Sequence, residues 1–177
     1  LTILLPQWKI DTSLSQRFMG ELQKEGARVK EGIRFQNVQK IELPGEVEFE
    51  ILNPIKGKIY TNDNDGGIVN LIRYGDIEFL LLADVGKKIE RALLPLLPQN
   101  IEVVKVAHHG SKSSSDRDFF AIVAPEVAVI QVGRDNRYGH PAPEALATIT
   151  KFSSTIWRTD SQGTLTMLSD GENYWFE

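Results

Sequence analysis

The chain has 177 residues, a formal net charge of −4 and no cysteine. This length suffices for one domain with a sizeable core, and the charge excludes a polycation that coats nucleic acid. Without cysteine there are no disulfides or thiolate metal sites, so any metal must be bound by His, Asp or Glu. No apolar run is long enough to span a bilayer.

The first third of the chain predicts scaffold elements. Residues 2–5 are typical of a strand already under way, from which we expect a fragment of a longer protein. A helix is predicted from a cap at Ser13 or Ser15 to about Glu25, with Gly26 as a natural stop. Short strands follow over 29–33, 38–43 and 47–51.

A polar loop, residues 61–67, leads into the strand predicted over 68–74. By composition the loop could hold calcium, but it lacks the spacing and closing Glu of an EF-hand, so a plain turn is the favoured interpretation. Gly75 and Asp76 then turn the chain into the nearly continuous apolar run 77–83, which is typical of a central strand and ends in Asp84.

After Asp84 helices and strands alternate, which predicts the α/β class with an added antiparallel portion at the front. Pro143 fits the first turn of a helix. The predicted elements are a helix over 86–97, a strand over 101–107, a helix over 115–123, a strand over 127–132, a helix over 143–152, a strand over 155–159 and a closing hairpin of 164–168 with 174–176.

Polar side chains follow each of the last apolar strands, where α/β folds keep their sites. They are Asp84, then His108 and His109, then His140, then Asp160. Imidazole and carboxylate without thiolate suit zinc, manganese or iron, and a carboxylate can bridge two ions that share an activated water.

Four cations in the same loops, Lys112, Arg134, Arg137 and Arg158, suit a phosphate or phosphodiester that gains charge in the transition state. Residues 105–158 contain seven Lys or Arg against five Asp or Glu, although scattered surface charge accounts equally well for these counts. The histidine loops thus lie in the least acidic part of the chain.

Structural interpretations compete for each of these residues. A lone Asp84 at a strand end is often a turn former or helix cap. Adjacent His108 and His109 on an extended backbone would point opposite ways, so that only one faces a site. His140 could be an ordinary loop residue. Residues 113–115, all serine, are most simply the cap of the next helix rather than a source of a nucleophile.

Five stretches carry a family resemblance: 70–75, 79–84, 104–114, 132–141 and 158–163. In that order they resemble the metallo-β-lactamase superfamily. More narrowly, they resemble the C-terminal domain of ComEC-type competence proteins, the membrane channels for DNA uptake in bacterial transformation.

The resemblance implies a four-layer αββα sandwich with mixed sheets, here its back part. It makes Asp84 a bridging ligand of two divalent ions, zinc or manganese, with His108 and His140 as further ligands. His109 becomes a catalytic residue that contacts the phosphate, or a second candidate ligand. The implied activity is phosphodiester hydrolysis, and the implied partners are single-stranded DNA and the channel portion of the same polypeptide.

One departure from the family is large, because the motif His-x-His-x-Asp-His should precede Leu1 and is not in this sequence. We therefore expect residues 1–177 to be a single domain fragment without that motif, inactive by itself and with a defective metal site. The implied location is the cell membrane, on its extracytoplasmic face. Two alternatives are a non-catalytic DNA-binding or structural module, and a small-molecule phosphodiesterase or esterase.

Overall fold

In the computed structural model, which describes residues 2–4, 12–30, 39–43, 45–55, 58 and 60–177, seven strands form one mixed sheet. They are adjacent in the order in which they occur along the chain. The sheet consists of β3 (Gln39–Leu43), β4 (Val47–Asn53), β5 (Val69–Tyr74), β6 (Ile77–Leu81), β7 (Val103–Lys105), β8 (Val127–Ile130) and β9 (Thr155–Arg158).

The relative direction of neighbouring strands changes at β6. From β3 to β6 neighbouring strands are antiparallel, and from β6 to β9 they are parallel. Gly75 and Asp76 form the tight turn between β5 and β6, and Gly75 adopts a left-handed φ of 58° that glycine accepts without strain. Parallel neighbours need a crossover, which the helices supply.

Three helices, α2 (Lys87–Leu93), α3 (Arg117–Val123) and α4 (Pro143–Phe152), make these crossovers. Because such crossovers are right-handed, the three helices lie on one face of the sheet, where α3 contacts both α2 and α4. Their apolar residues form one core with the sheet residues Leu80, Val104 and Ala128. Phe119 and Phe120 of α3 are fully buried there, each contributing about 2 kcal/mol by burial alone.

The smaller elements lie at the two ends of the chain. β1 (Thr2–Leu4) pairs in parallel with β2 (Arg28–Lys30), and α1 (Ser13–Lys24) lies between them along the chain. α5 (Thr159–Gln162) follows β9. β10 (Met167–Ser169) and β11 (Tyr174–Phe176) form the closing hairpin. No helix in the described parts of the chain is long and apolar enough to cross a membrane.

The α/β class, the antiparallel front and the order of elements confirm the sequence prediction, with local differences. α1 is capped by Thr12, in a capping box with Ser15, rather than by Ser13 or Ser15 acting as N-cap. The helix predicted over 86–97 tightens into a 3-10 turn at Leu94–Leu96, because Pro95 cannot donate a helical hydrogen bond. The parts of predicted strands at 5, 31–33 and 38 lie outside the described residues.

Candidate active site

The carboxyl ends of the parallel strands bring the predicted residues to one edge of the sheet. Asp84 follows β6, His108 and His109 follow β7, and His140 lies in the loop after β8. His109 Nε2 is 3.7 Å from Asp84 Oδ1, and the rings of His108 and His140 meet edge to face with centroids 5.9 Å apart. The expectation that these four side chains share one edge is thus met by their geometry.

The two adjacent histidines do not lie on extended backbone. Ala107–Gly110 forms a kinked, left-handed turn in which His108, His109 and Gly110 all have positive φ, of 49°, 55° and 76°. Non-glycine residues rarely adopt this conformation, and it concentrates at functional sites. The turn lets both imidazoles face the site, so the alternation that would turn one histidine away does not apply.

Backbone hydrogen bonds join the histidine turn to the turn that carries Asp84. His108 N–H donates to the Ala83 carbonyl at 3.0 Å, and Lys105 Nζ donates to the same oxygen at 3.3 Å. Ala83 also has a positive φ, of 48°, so this is a second strained position beside a candidate ligand. Burial lowers the pKa of Lys105, against the opposing attraction of the Asp84 carboxylate.

The ring of His109 is oriented by the backbone of the next strand. Its Nδ1–H donates to the Gln131 carbonyl at 2.6 Å, because that oxygen is only an acceptor. The lone pair of the neutral ring therefore lies on Nε2, the atom that faces Asp84. A histidine held in this way by a backbone carbonyl is arranged as metal-binding histidines are.

His140 is held by Asn136, which lies four residues before it. The Asn136 amide accepts from His140 N–H at 2.9 Å and donates to the His140 carbonyl at 2.7 Å. Burial, and then the charges of His108 and His109, lower the pKa of His140, against the attraction of Asp84. The lowered pKa favours the neutral ring, in which a nitrogen lone pair is available.

A cleft of about 500 Å³ opens beside the histidines. Its wall is formed by the loops after β7, β8 and β9. The lining residues are His109, Gln131, Val132, Gly133, Asn136, Tyr138, His140 and Thr159.

The four candidate phosphate ligands differ in availability. Lys112, Arg134 and Arg137 are exposed. Arg158 instead forms a bidentate ion pair with the Asp160 carboxylate, at 3.1 and 2.6 Å, and is largely neutralised by it. The first three therefore remain the better candidates for an anionic ligand.

The serines after the histidine turn do not cap α3. Asp116 does so, because its Oδ1 accepts from Asp118 N–H at 3.1 Å and Phe119 N–H at 3.2 Å. The prediction of a serine cap was therefore wrong. Ser114 instead donates to the carbonyls of Ala107 and Ser111, and these hydrogen bonds stabilise the histidine turn.

The polar loop before β5 acts as a support for the Asp84 turn. Asp63–Gly66 is a short 3-10 turn, and Asp65 Oδ1 accepts from Gly86 N–H at 3.0 Å. Gly67 packs closely against the turn that carries Asp84, because an added Cβ would lie 3.1 Å from the Ala83 Cβ. The loop is thus packed against the candidate site, and its polar groups serve that contact.

The side chains at this edge of the sheet fit the metal that the family resemblance implies only in part. The imidazole and carboxylate donors match the ligands of zinc or manganese, and Asp84 and His109 are adjacent. Within the described ranges, however, no three His, Asp or Glu side chains converge as they must to hold an ion. The described residues therefore provide neighbouring donors and an incomplete coordination sphere.

Several residues of the site were missed by sequence reasoning. Asn136 and Tyr138 lie in a loop that was singled out for its histidine, so loop membership was an available signal. Thr159, whose hydroxyl bonds Val132 N–H and carbonyl at 2.8 Å each, and the half-buried Lys105 carried no such signal. Both depend on contacts between distant strands.

Three known proteins are similar in sequence to this chain. No family model matches the chain. It is 26% identical over 164 residues, or 92% of its length, to ComE operon protein 3 of Bacillus subtilis. It is 32% identical over 137 residues, or 76% of its length, to Competence protein ComA of Neisseria gonorrhoeae. Recombination protein 2 of Haemophilus influenzae matches 66% of the chain at 31% identity.

The chain spans about a fifth of the length of these relatives, namely 20%, 20% and 15%. Among solved structures it is similar to a metal-dependent hydrolase of the beta-lactamase superfamily, with a TM-score of 0.49 and 17% identity over 81% of this chain and 60% of that one. A score at this level adds nothing to the strand order described above. The homologues of this chain are thus ComE operon protein 3, ComA and Recombination protein 2, which are proteins of the ComEC family.

Proposed function

We propose that this chain is part of the hydrolase portion of a competence protein, and that the whole protein cleaves phosphodiester bonds of incoming DNA, in the strand that is not transported. The observation that supports it most is the Asp84–His109 pair at 3.7 Å, with His108 and His140 beside it at the same sheet edge. Titratable side chains gathered beside a cleft, within reach of one another, are typical of catalytic sites.

The surroundings of the pair suit a phosphodiester. Lys112, Arg134 and Arg137 are exposed in the loops that surround the histidines, and they would attract the DNA backbone. Burial lowers the pKa of His140, which favours the neutral imidazole that a metal ligand requires. These residues would bind and orient the substrate, with His109 closest to Asp84.

Divalent metal, zinc or manganese, belongs to this proposal as a property of the whole site. Asp84, His108, His109 and His140 are the residues of this chain that would hold it, together with donors from elsewhere. When bound, such an ion would stabilise the charge that develops on the phosphate oxygens.

The place of the chain in the cell is part of the same proposal. One of its relatives is named as a competence protein, and both that protein and ComE operon protein 3 are about five times longer than the matched segment. We infer that the chain works next to the membrane channel portion of the same polypeptide, on the extracytoplasmic face.

A second candidate function is a non-catalytic DNA-binding module. It is favoured by one observation, that no three potential ligands converge within the part of the chain that the structure describes. The two functions share the cations at the sheet edge and differ in the need for Asp84.

The test compares Asp84→Asn with Asp76→Asn in the full-length gene product. Asp84→Asn keeps the size of the side chain and removes the charge beside His109, so we expect DNA cleavage to fall by roughly 100-fold or more. Asp76, exposed in the β5–β6 turn, is the matched control and should change nothing. The assay follows a labelled single strand with manganese or zinc.

Equal cleavage by both variants would contradict the proposal. If the unaltered protein binds the strand, never cuts it, and Asp84→Asn binds it equally well, the binding module is the correct function.

A further inference from the structure

Tyr138 is a large aromatic side chain that lies on the surface at the mouth of the cleft. It is 67% exposed, more than any other aromatic residue among the exposed large apolar side chains of the described chain. It lines the cleft together with His109 and His140. An exposed ring at the edge of a site is informative, because large apolar side chains are normally buried.

The ring is held in place from one side. It stacks on the ring of His140 with a centroid separation of 5.9 Å and an angle of 21° between the planes. Because Asn136 clamps the His140 backbone, this support is itself fixed. The Tyr138 ring is therefore a pre-oriented surface, and little side-chain entropy is lost when a ligand covers it.

A cation lies over part of the same ring. The Arg137 guanidinium carbon is 5.1 Å from the ring centroid, and Nη2 donates to the Tyr138 hydroxyl at 2.9 Å. Arg137 is itself exposed. An aromatic face and a guanidinium side by side match the base and the phosphate of one nucleotide.

We propose that Tyr138 is a stacking platform for an unpaired DNA base, and that Arg137 binds the phosphate of the same nucleotide. The inference rests on the proposed function and names its substrate as single-stranded. Bases in a duplex have both faces covered by their neighbours, so a lone exposed ring selects a base that is free of its partner. Stacking of this kind tolerates every base.

The test measures the affinity of this chain for labelled oligothymidylate and for an abasic strand of the same length, in EDTA so that neither strand is cut. Tyr138→Ala should raise the dissociation constant for oligothymidylate roughly tenfold and leave that for the abasic strand unchanged. Tyr138→Phe keeps the ring and should bind like the unaltered chain. Trp175→Ala is the control, since Trp175 is 44% exposed but does not line the cleft.

A direct readout of stacking is the fluorescence of 2-aminopurine placed in the strand. The unaltered chain and Tyr138→Phe should quench it, and Tyr138→Ala should not.

The possible failures are distinguishable. If Tyr138→Ala binds both strands as the unaltered chain does, the platform is disproved while the phosphate contacts of the proposed function remain. If the unaltered chain binds neither strand, the proposed function fails and this inference fails with it.

Discussion

Glu90 is a fully buried carboxylate that forms hydrogen bonds with the end of the loop that follows the histidine turn. Its two oxygens accept from Ser115 N–H at 2.9 Å and Asp116 N–H at 2.7 Å. Burial raises its pKa to about 7, and the repulsion of Asp116 adds to this, against the two N–H donors and Lys87. The ionised form is thus costly in the folded chain although it is well bonded.

This pKa predicts a specific dependence of stability on pH. Between pH 4.5, the ordinary pKa of a glutamate, and about 7, the folded chain keeps a proton that the unfolded chain has released. The free energy of unfolding should therefore fall as pH rises across this window, by about 3 kcal/mol from Glu90. Urea denaturation between pH 5 and 7.5, with Glu90→Gln as the comparison, measures the effect.

Glu90→Gln cannot titrate, so its stability should lack this fall. The pKa of Asp116 is lowered, because the Arg91 ion pair and two backbone N–H donors outweigh its burial, and Asp116 therefore titrates below the window. Parallel curves for the two proteins would show that Glu90 is already ionised at pH 5.

The candidate site depends on contact between the histidine turn and the loop that carries His140. Gly110 lies at this contact. It follows the two histidines with a φ of 76°, and a Cβ at this position would lie 2.7 Å from the Pro141 Cβ. Its carbonyl accepts from Ala142 N–H at 2.8 Å. The histidine turn and the loop of His140 are thus packed backbone to backbone, which sets the distance between their imidazoles.

We predict that Gly110→Ala both destabilises the fold and disrupts the site. A matched control exists in Gly45→Ala, because Gly45 has a φ of 84° and open space around its Cβ position. The control should cost about 1 kcal/mol of unfolding free energy, and Gly110→Ala about 2 kcal/mol more from the overlap with Pro141.

DNA cleavage by the full-length gene product should fall at least tenfold in Gly110→Ala, because small displacements of catalytic groups are costly. Gly45→Ala should cleave at the normal rate. If the two variants lose equal stability, the loops are able to separate without cost and the contact is not what positions His140.

At the scale of the whole molecule, the chain combines a net charge of −4 with exposed cations at one sheet edge. If DNA binds at this edge, each phosphate contact there should add to the salt dependence. Removing Arg134 and Arg137 together should reduce the slope of log K against log salt by about 1.4 for a single strand.

The measurement is a salt titration of the affinity for a labelled single strand. Lys24→Ala with Lys151→Ala removes the same charge from the ends of α1 and α4, and this variant should keep the slope of the unaltered chain. An equal reduction in both variants would indicate that net charge, rather than the sheet edge, governs binding.

The sequence by itself determined the order of elements and the edge at which the polar residues gather. Apolar periodicity and turn residues act within a few positions, so the strand that ends in Asp84 and the strand before His108 were readable directly. Because parallel strands align their carboxyl ends, the shared location of Asp84 and His140 followed as well.

Only the tertiary structure decided how these side chains meet. The left-handed turn at His108 and His109 turned both rings to the site, although an extended backbone would have separated them. Arg158 is paired with Asp160, and Tyr138 is stacked on His140. The physical reason is that these features depend on the sign of φ in a loop and on contacts with neighbouring side chains, which short-range patterns of apolar and polar residues do not encode.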